Sequence, residues 1–275
     1  MAGPTLTPNL TENPWVEVFF DPGDLHPDTV TMRVYRYSEG RTWLTRGGVD
    51  ITPGQAVLDF EVPFQTQSTY RAAQFDADGL PLGFTDPSSI TVDYTGTVVH
   101  QPLAPSTLWA PVRVLHGSAA ELVRPEPGDV VDIEGGTVGR WIGTGRRGLR
   151  GVPVSLLAES LDAADRVQAM LGDYTTRQVG VLCIRTSDRI RWPRTFFARG
   201  DLTEFDLTDE DDVLVQFTAS ADEVEPPFPG LVRPLLTYAD LDAAFPSYAD
   251  RDAEFGTYTT QDRAYEYAGF ADGGA

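Results

Sequence analysis

Three histidines (His26, His100, His116), one cysteine (Cys183) and 41 carboxylates are the side chains with which this 275-residue sequence could do acid–base, nucleophilic or metal chemistry. The histidines lie far apart in turn-like or linker-like stretches, and none accompanies a Gly-x-Ser-x-Gly nucleophile turn or a His-Glu-x-x-His zinc motif. A single cysteine excludes an internal disulfide and a cysteine-based zinc site. Within the apolar run Val179-Gly-Val-Leu-Cys-Ile184 it reads as a small buried hydrophobe. Gly143-Thr-Gly-Arg-Arg-Gly148 has the spacing of a dinucleotide loop, but a strand pattern follows it, so no helix N-terminus would hold pyrophosphate. The acidic group Asp206 and Asp209–Asp212 has the oxygens calcium prefers, yet it reads best as a solvated loop. Asp76-Ala-Asp-Gly79 begins like a calcium loop, lacks the downstream ligands, and suits a tight hairpin turn. No catalytic residue, cofactor or metal is expected, and the chain reads as non-enzymatic.

The charge balance is strongly acidic: a formal −20, with 21 basic residues that are all arginine. A nucleic-acid binder carries a basic stripe, so nucleic acid is excluded as the expected partner. The same charge disfavours anionic lipid, and no apolar run reaches the ~20 residues of a membrane span. The start, Met1-Ala-Gly-Pro-Thr-Leu-Thr-Pro8, lacks the charged and apolar regions of a signal peptide. A soluble protein made in the cytoplasm is the expectation. Absence of lysine fits a GC-rich source genome.

The elements that must position these residues are mostly strands. Glycine (26) and proline (21) are scattered throughout, the habit of short elements joined by turns. Over residues 1–100, Trp15–Phe20, Thr29–Tyr37, Val57–Val62, Thr69–Phe75 and Ile90–Tyr94 read as strands. In the second of these Val30, Met32, Val34 and Arg36 share one face. His100–Pro111, with three prolines, reads as a linker. Residues 101–229 give strands at 112–115, 130–133, 138–142, 152–157, 178–185, 195–198 and 213–219. They also give one helix over 160–171, capped by Ser160 and stopped by Gly172. Residues 230–275 contain a ten-residue repeat starting at Thr237, Ser247 and Thr257. Each unit opens on a helix-capping type and carries aromatics seven residues apart: Tyr238 with Phe245, Tyr248 with Phe255, Tyr258 with Tyr265. Each pair is expected to share a helix face, with Pro246 and Gly256 breaking the arm into three short helices. So short an acidic arm is not expected to build its own core, and its aromatics are expected to need a partner surface.

Three resemblances follow from these residues. Pro63, then Tyr70-Arg-Ala-Ala-Gln-Phe-Asp-Ala-Asp-Gly79 and Ser88-Ser-Ile-Thr-Val92, resemble the last strands of a fibronectin type III domain. Tyr70 would be the corner tyrosine whose hydroxyl ties back upstream. Gly145–Gly151, the helix and Gly180–Arg185 resemble the tail-tube or distal-tail fold of phages. The aromatic repeat resembles the C-terminal ends of minor tail proteins from long-tailed phages of GC-rich actinobacteria. Together they imply an all-β protein: a fibronectin type III-like sandwich, a tail-tube-like β-sandwich with one short helix, and a repetitive, partly helical arm. The implied function is a virion component of the tail tip, synthesised in the host cytoplasm. It would assemble with other tail proteins as a homo-oligomer of closed symmetry. Partner contacts are expected from Tyr238, Phe245, Tyr248, Phe255, Tyr258 and Tyr265, and from Arg146, Arg147 and Arg150, read as aimed at a neighbour's acids. The alternative is a module that binds host cell-surface carbohydrate on the same virion.

Overall fold

The structure, a computed structural model, describes all residues except 1, 173–177, 208–212, 228–235, 237, 262–263, 265–266 and 268–275. It divides into two compact units, Met1–Gly230 and Leu231–Ala275. Strands dominate the first. In chain order they are β1 (Thr5–Asn9), β2 (Trp15–Phe19), β3 (Thr31–Ser38), β4 (Arg41–Leu44), β5 (Ala56–Asp59), β6 (Gln67–Phe75), β7 (Pro81–Phe84) and β8 (Ser88–Thr91). Then come β9 (Thr97–His100), β10 (Trp109–Val114), β11 (Gly128–Val131), β12 (Arg140–Gly143) and β13 (Val152–Ala158). Helix α1 (Leu161–Leu171) precedes β14 (Leu182–Thr186), β15 (Thr195–Arg199), β16 (Thr203–Asp206) and β17 (Val215–Glu223). No helix among the described residues is long and apolar enough to cross a membrane.

The first eight strands form two antiparallel sheets, β1-β2-β5 and β4-β3-β6-β7, with β8 also pairing β6. Alternation explains the layering. Met32, Val34 and Arg36 of β3 are buried, whereas Arg33 and Tyr37 are exposed. Met32 and Val34 meet Val16 and Val18 of β2, Val57 of β5 and Tyr70 and Ala72 of β6 in one apolar core. Asp76–Gly79 makes the β6–β7 hairpin turn. The Asp76 carboxylate accepts from the amides of Asp78 and Leu80, and Gly79 takes φ 76°.

The second half differs from the expected sandwich. Strands β13-β10-β9-β14-β15-β17 follow one another, and β17 pairs back onto β13 over seven residue pairs, closing a six-stranded antiparallel barrel. Strand β16 adds to the β17 edge beside it. At nine residues β17 is long enough to reach both β13 and β15, which closes the sheet on itself. The barrel fills with Val99, Val112, Val154, Leu156, Ile184, Phe196 and Phe217, together with Ala163, Ala164, Val167 and Met170 of α1. Ser160 caps α1, its hydroxyl accepting from the Ala163 amide, and Gly172 stops it at φ 78°. The proline-rich stretch read as a linker is no linker. His100 ends β9, Pro111 lies within β10, and the buried Gln101 between them donates to the Val179 carbonyl at 2.8 Å. Prolines 102 and 105 shape a tight connection between paired strands.

In the second unit three short helices stand where the repeat places them: α2 (Tyr238–Ala244), α3 (Tyr248–Glu254) and α4 (Tyr258–Gln261). Ser247 caps α3 by accepting from the Asp250 amide. Thr257 and Thr260 cap α4 reciprocally, each hydroxyl accepting from the other's amide at 3.2 and 3.1 Å.

Candidate partner-binding surfaces

Strands β11 and β12 pair with each other over Gly128–Val131 and Arg140–Gly143 and, among the described residues, with no third strand. An isolated two-stranded ribbon buries almost nothing, so its apolar side chains stay in water. Val138 is 83% exposed, Val130 63%, Ile142 61% and Trp141 49%. Val130 and Trp141 sit opposite each other on one face, and Ile142 opposes Asp129 on the other. The Val123–Arg150 bridge closes the base of the hairpin. Between Arg124 and Gly148 four acids meet four arginines, so this segment is neutral in a chain carrying −20. The individual strands were legible from the sequence. Their isolation was not, because it depends on what fails to pair with them.

The three arginines expected to reach a neighbour lie at this base and make contacts within the chain. Arg146 is 3.6 Å from Glu126, and Arg150 is 2.7 Å from Asp222. The Arg147 amide donates to the Pro125 carbonyl, and its guanidinium reaches the Thr144 hydroxyl. Two hydrogen bonds, from the Gly151 amide and Arg150, hold the Asp222 carboxyl below its ordinary value. As expected, a strand follows the glycine-arginine loop.

The arm sorts its aromatics into two kinds. Tyr238, Tyr248 and Tyr258 are 64%, 68% and 75% exposed. Phe245 and Phe255 fall one residue beyond the ends of α2 and α3, so they do not share a helix face with those tyrosines as expected. The helices stop early because Pro246 and Gly256 follow. The two phenylalanines pack edge to face at 5.5 Å, with Tyr267 at 5.1 and 6.0 Å from them, a small aromatic cluster within the arm itself. That corrects the expectation that the arm has no core of its own. The fifth position of every unit is also buried: Leu241, Arg251 and Gln261. Arg251 pairs with Asp242 at 3.2 Å and lies 4.3 Å from the Tyr248 ring. Tyr265 lies outside the described residues, as do Asp209–Asp212.

The remaining reactive groups converge where the sandwich meets the barrel. Cys183 and His100 are register partners on β14 and β9, both fully buried. Burial pushes the Cys183 thiol far above its ordinary range, which makes it a poor nucleophile. Burial, and next the Arg185 charge, hold His100 well below its usual value, against the opposing pull of backbone hydrogen bonds at Gln101 and Phe60. Asp59 accepts from Arg36 at 2.5 Å and from the Tyr70 hydroxyl at 2.8 Å. Tyr70 does tie back upstream, onto a carboxylate. Burial works to lower the Arg36 value, but Asp59, Tyr70 and Glu61 together hold it above its ordinary one. Glu61 pairs with Arg46, and desolvation still raises its carboxyl. Arg185, lowered by burial to about 10, donates to the Val62 carbonyl and to Asn13. The Thr195 hydroxyl donates to the Glu61 carbonyl. These contacts join strands distant in sequence, and nothing in the run ending at Arg185 signals them.

His26 lies in the turn before β3 and His116 in the turn after β10, each on a different element from His100. Among the described residues no group of three or more His, Cys, Asp or Glu could hold a metal ion. The comparisons end without a likeness: the chain matches no family model, no curated protein and no solved structure.

Proposed function

We propose that this chain is a structural virion component of a long-tailed phage, placed at the tail tip, where it assembles with other tail proteins and with copies of itself. The observation that carries this reading is the β11–β12 hairpin, a ribbon that among the described residues pairs with no third strand, with Val130, Val138 and Ile142 more than half exposed, Trp141 about half exposed, and no net charge. Such a surface marks an interaction site, and its free edges invite strand addition. The first sheets support the fibronectin type III-like resemblance, since β1-β2-β5 facing β4-β3-β6-β7 is the strand order of that sandwich. The barrel with one helix supports the tail-tube-like resemblance in architecture, and the capped ten-residue units with outward tyrosines support the minor-tail-protein one. The arm offers Tyr238, Tyr248 and Tyr258 to a neighbour, and the hairpin offers Trp141 and Ile142.

Mass spectrometry of purified particles tests the reading. The chain should be present in fixed ratio to other tail proteins, and a version lacking residues 231–275 should lose a neighbouring protein from the particle. Absence of the chain from particles, or clearing of host cell walls by the purified protein, would overturn it.

A further inference from the structure

On the sandwich, the sheet β4-β3-β6-β7 turns one face to solvent. Alternation puts Tyr35 and Tyr37 of β3 on that face, opposite the buried Val34 and Arg36. Register aligns Tyr35 with Arg71, and Tyr37 with both Thr69 and Thr42. These residues line a shallow pocket of about 230 Å³, whose lining contains no aspartate or glutamate. Phe84 extends the aromatic surface, its ring 6.3 Å from that of Tyr35. The Thr69 and Ser89 hydroxyls are bonded at 2.8 Å, continuing the row of hydroxyls.

Arg71 is the one charged side chain in that lining. The exposed arginines Arg33, Arg113, Arg150 and Arg199 each have a carboxylate within 3.3 Å. Arg71, also exposed, has none among the described residues, as is true of Arg124, Arg140, Arg147, Arg189 and Arg191, but its guanidinium lies over the Phe84 ring at 4.2 Å beside the tyrosines. An exposed arginine held on an aromatic plane, with no carboxylate paired to it among the described residues, keeps its N–H donors free to receive an anion from outside.

We propose that this face is a saccharide-binding site for a sugar bearing a carboxylate. The tyrosine rings offer flat apolar surface to the C–H face of a pyranose. The threonine and tyrosine hydroxyls exchange hydrogen bonds with its hydroxyls, and Arg71 binds the carboxylate through its paired N–H donors. The pocket is smaller than the ~300 Å³ at which sites for drug-sized ligands begin, which suits one ring of a longer glycan. A flat face of hydroxyls and rings offers no deep pockets for peptide side chains, so sugar is favoured over an acidic protein segment. The site is independent of the assembly surfaces: a chain that binds sugar but is missing from virions sinks only the assembly reading.

Calorimetric titration of the full chain with three probes tests it. These are a glucuronate-containing tetrasaccharide, an N-acetylglucosamine tetrasaccharide, and a glutamate-only peptide of matched charge. Saturable binding is expected for the first, weaker binding for the second and none for the third. Arg71→Gln should weaken the first at least about tenfold while leaving the melting temperature unchanged, because the lost contact is charge-assisted and exposed. Tyr37→Ala should weaken both sugars. No saturable binding of the glucuronate probe, equal affinity for the neutral sugar, or an unchanged affinity in Arg71→Gln overturns the proposal. Tighter binding of the peptide overturns it in favour of an acidic protein partner.

Discussion

Among single residues, the buried groups between sandwich and barrel set the chain's response to pH and mutation. His100 takes a proton in the unfolded chain near its ordinary 6.5 but resists it when folded. Its contribution is therefore present above 6.5 and lost as pH falls below it, by up to about 1.4 kcal/mol per pH unit. Glu61 acts in the opposite direction. Its raised folded value means the native chain holds that proton more tightly, so acidification toward 4.5 favours folding through this group. Denaturant titrations at several pH values should show the histidine slope just below 6.5 in the wild type and its loss in His100→Leu. Tyr70→Phe removes one bond to a charged acceptor while Arg36 still holds Asp59. It should cost about 1.5–3 kcal/mol, read as a lower denaturation midpoint of the whole chain. The sequence pattern made Arg36 inward and Tyr70 a tie, but not their common partner, because Asp59 comes from a strand on the opposing sheet.

For elements, legibility followed local signal. The long alternating strands β3 and β6, helix α1 with its Ser160 and Gly172 caps, and the three short arm helices all carry their pattern in adjacent residues. Strands β4 and β7 do not: each is four residues long, and β7 contains Pro81 and Gly83. The hairpin β11–β12 and the arm make separable predictions. Trp141→Asp with Ile142→Asp should leave the melting temperature unchanged, since both side chains are already exposed, and abolish self-association in sedimentation experiments. Phe245→Ala with Phe255→Ala should instead empty the aromatic cluster and melt α2 and α3, because helices of seven residues do not persist without packing. Loss of amide protection over 238–255, with the first unit's protection unchanged, is the expected reading. An unchanged arm would mean the cluster contributes nothing to its order.

At the scale of the whole molecule, non-local pairing governed what could not be foreseen. Barrel closure depends on Val152–Ala158 meeting Val215–Ala221, with paired residues 57 to 69 apart in the chain, and no local period announces a closed sheet over an open sandwich. Proline counting went astray at 100–111 for the same reason: the strands on either side find each other and β14. The buried junction has one mechanical consequence. The hydrogen bonds that cross it, from Arg185 to Val62 and Asn13 and from Thr195 to Glu61, lose most of their strength within a small separation. Under tension between sandwich and barrel, the joint would behave as a brittle coupling. It would stay stiff to a high load and then release abruptly, with the stranded Arg185 charge opposing any partly parted intermediate.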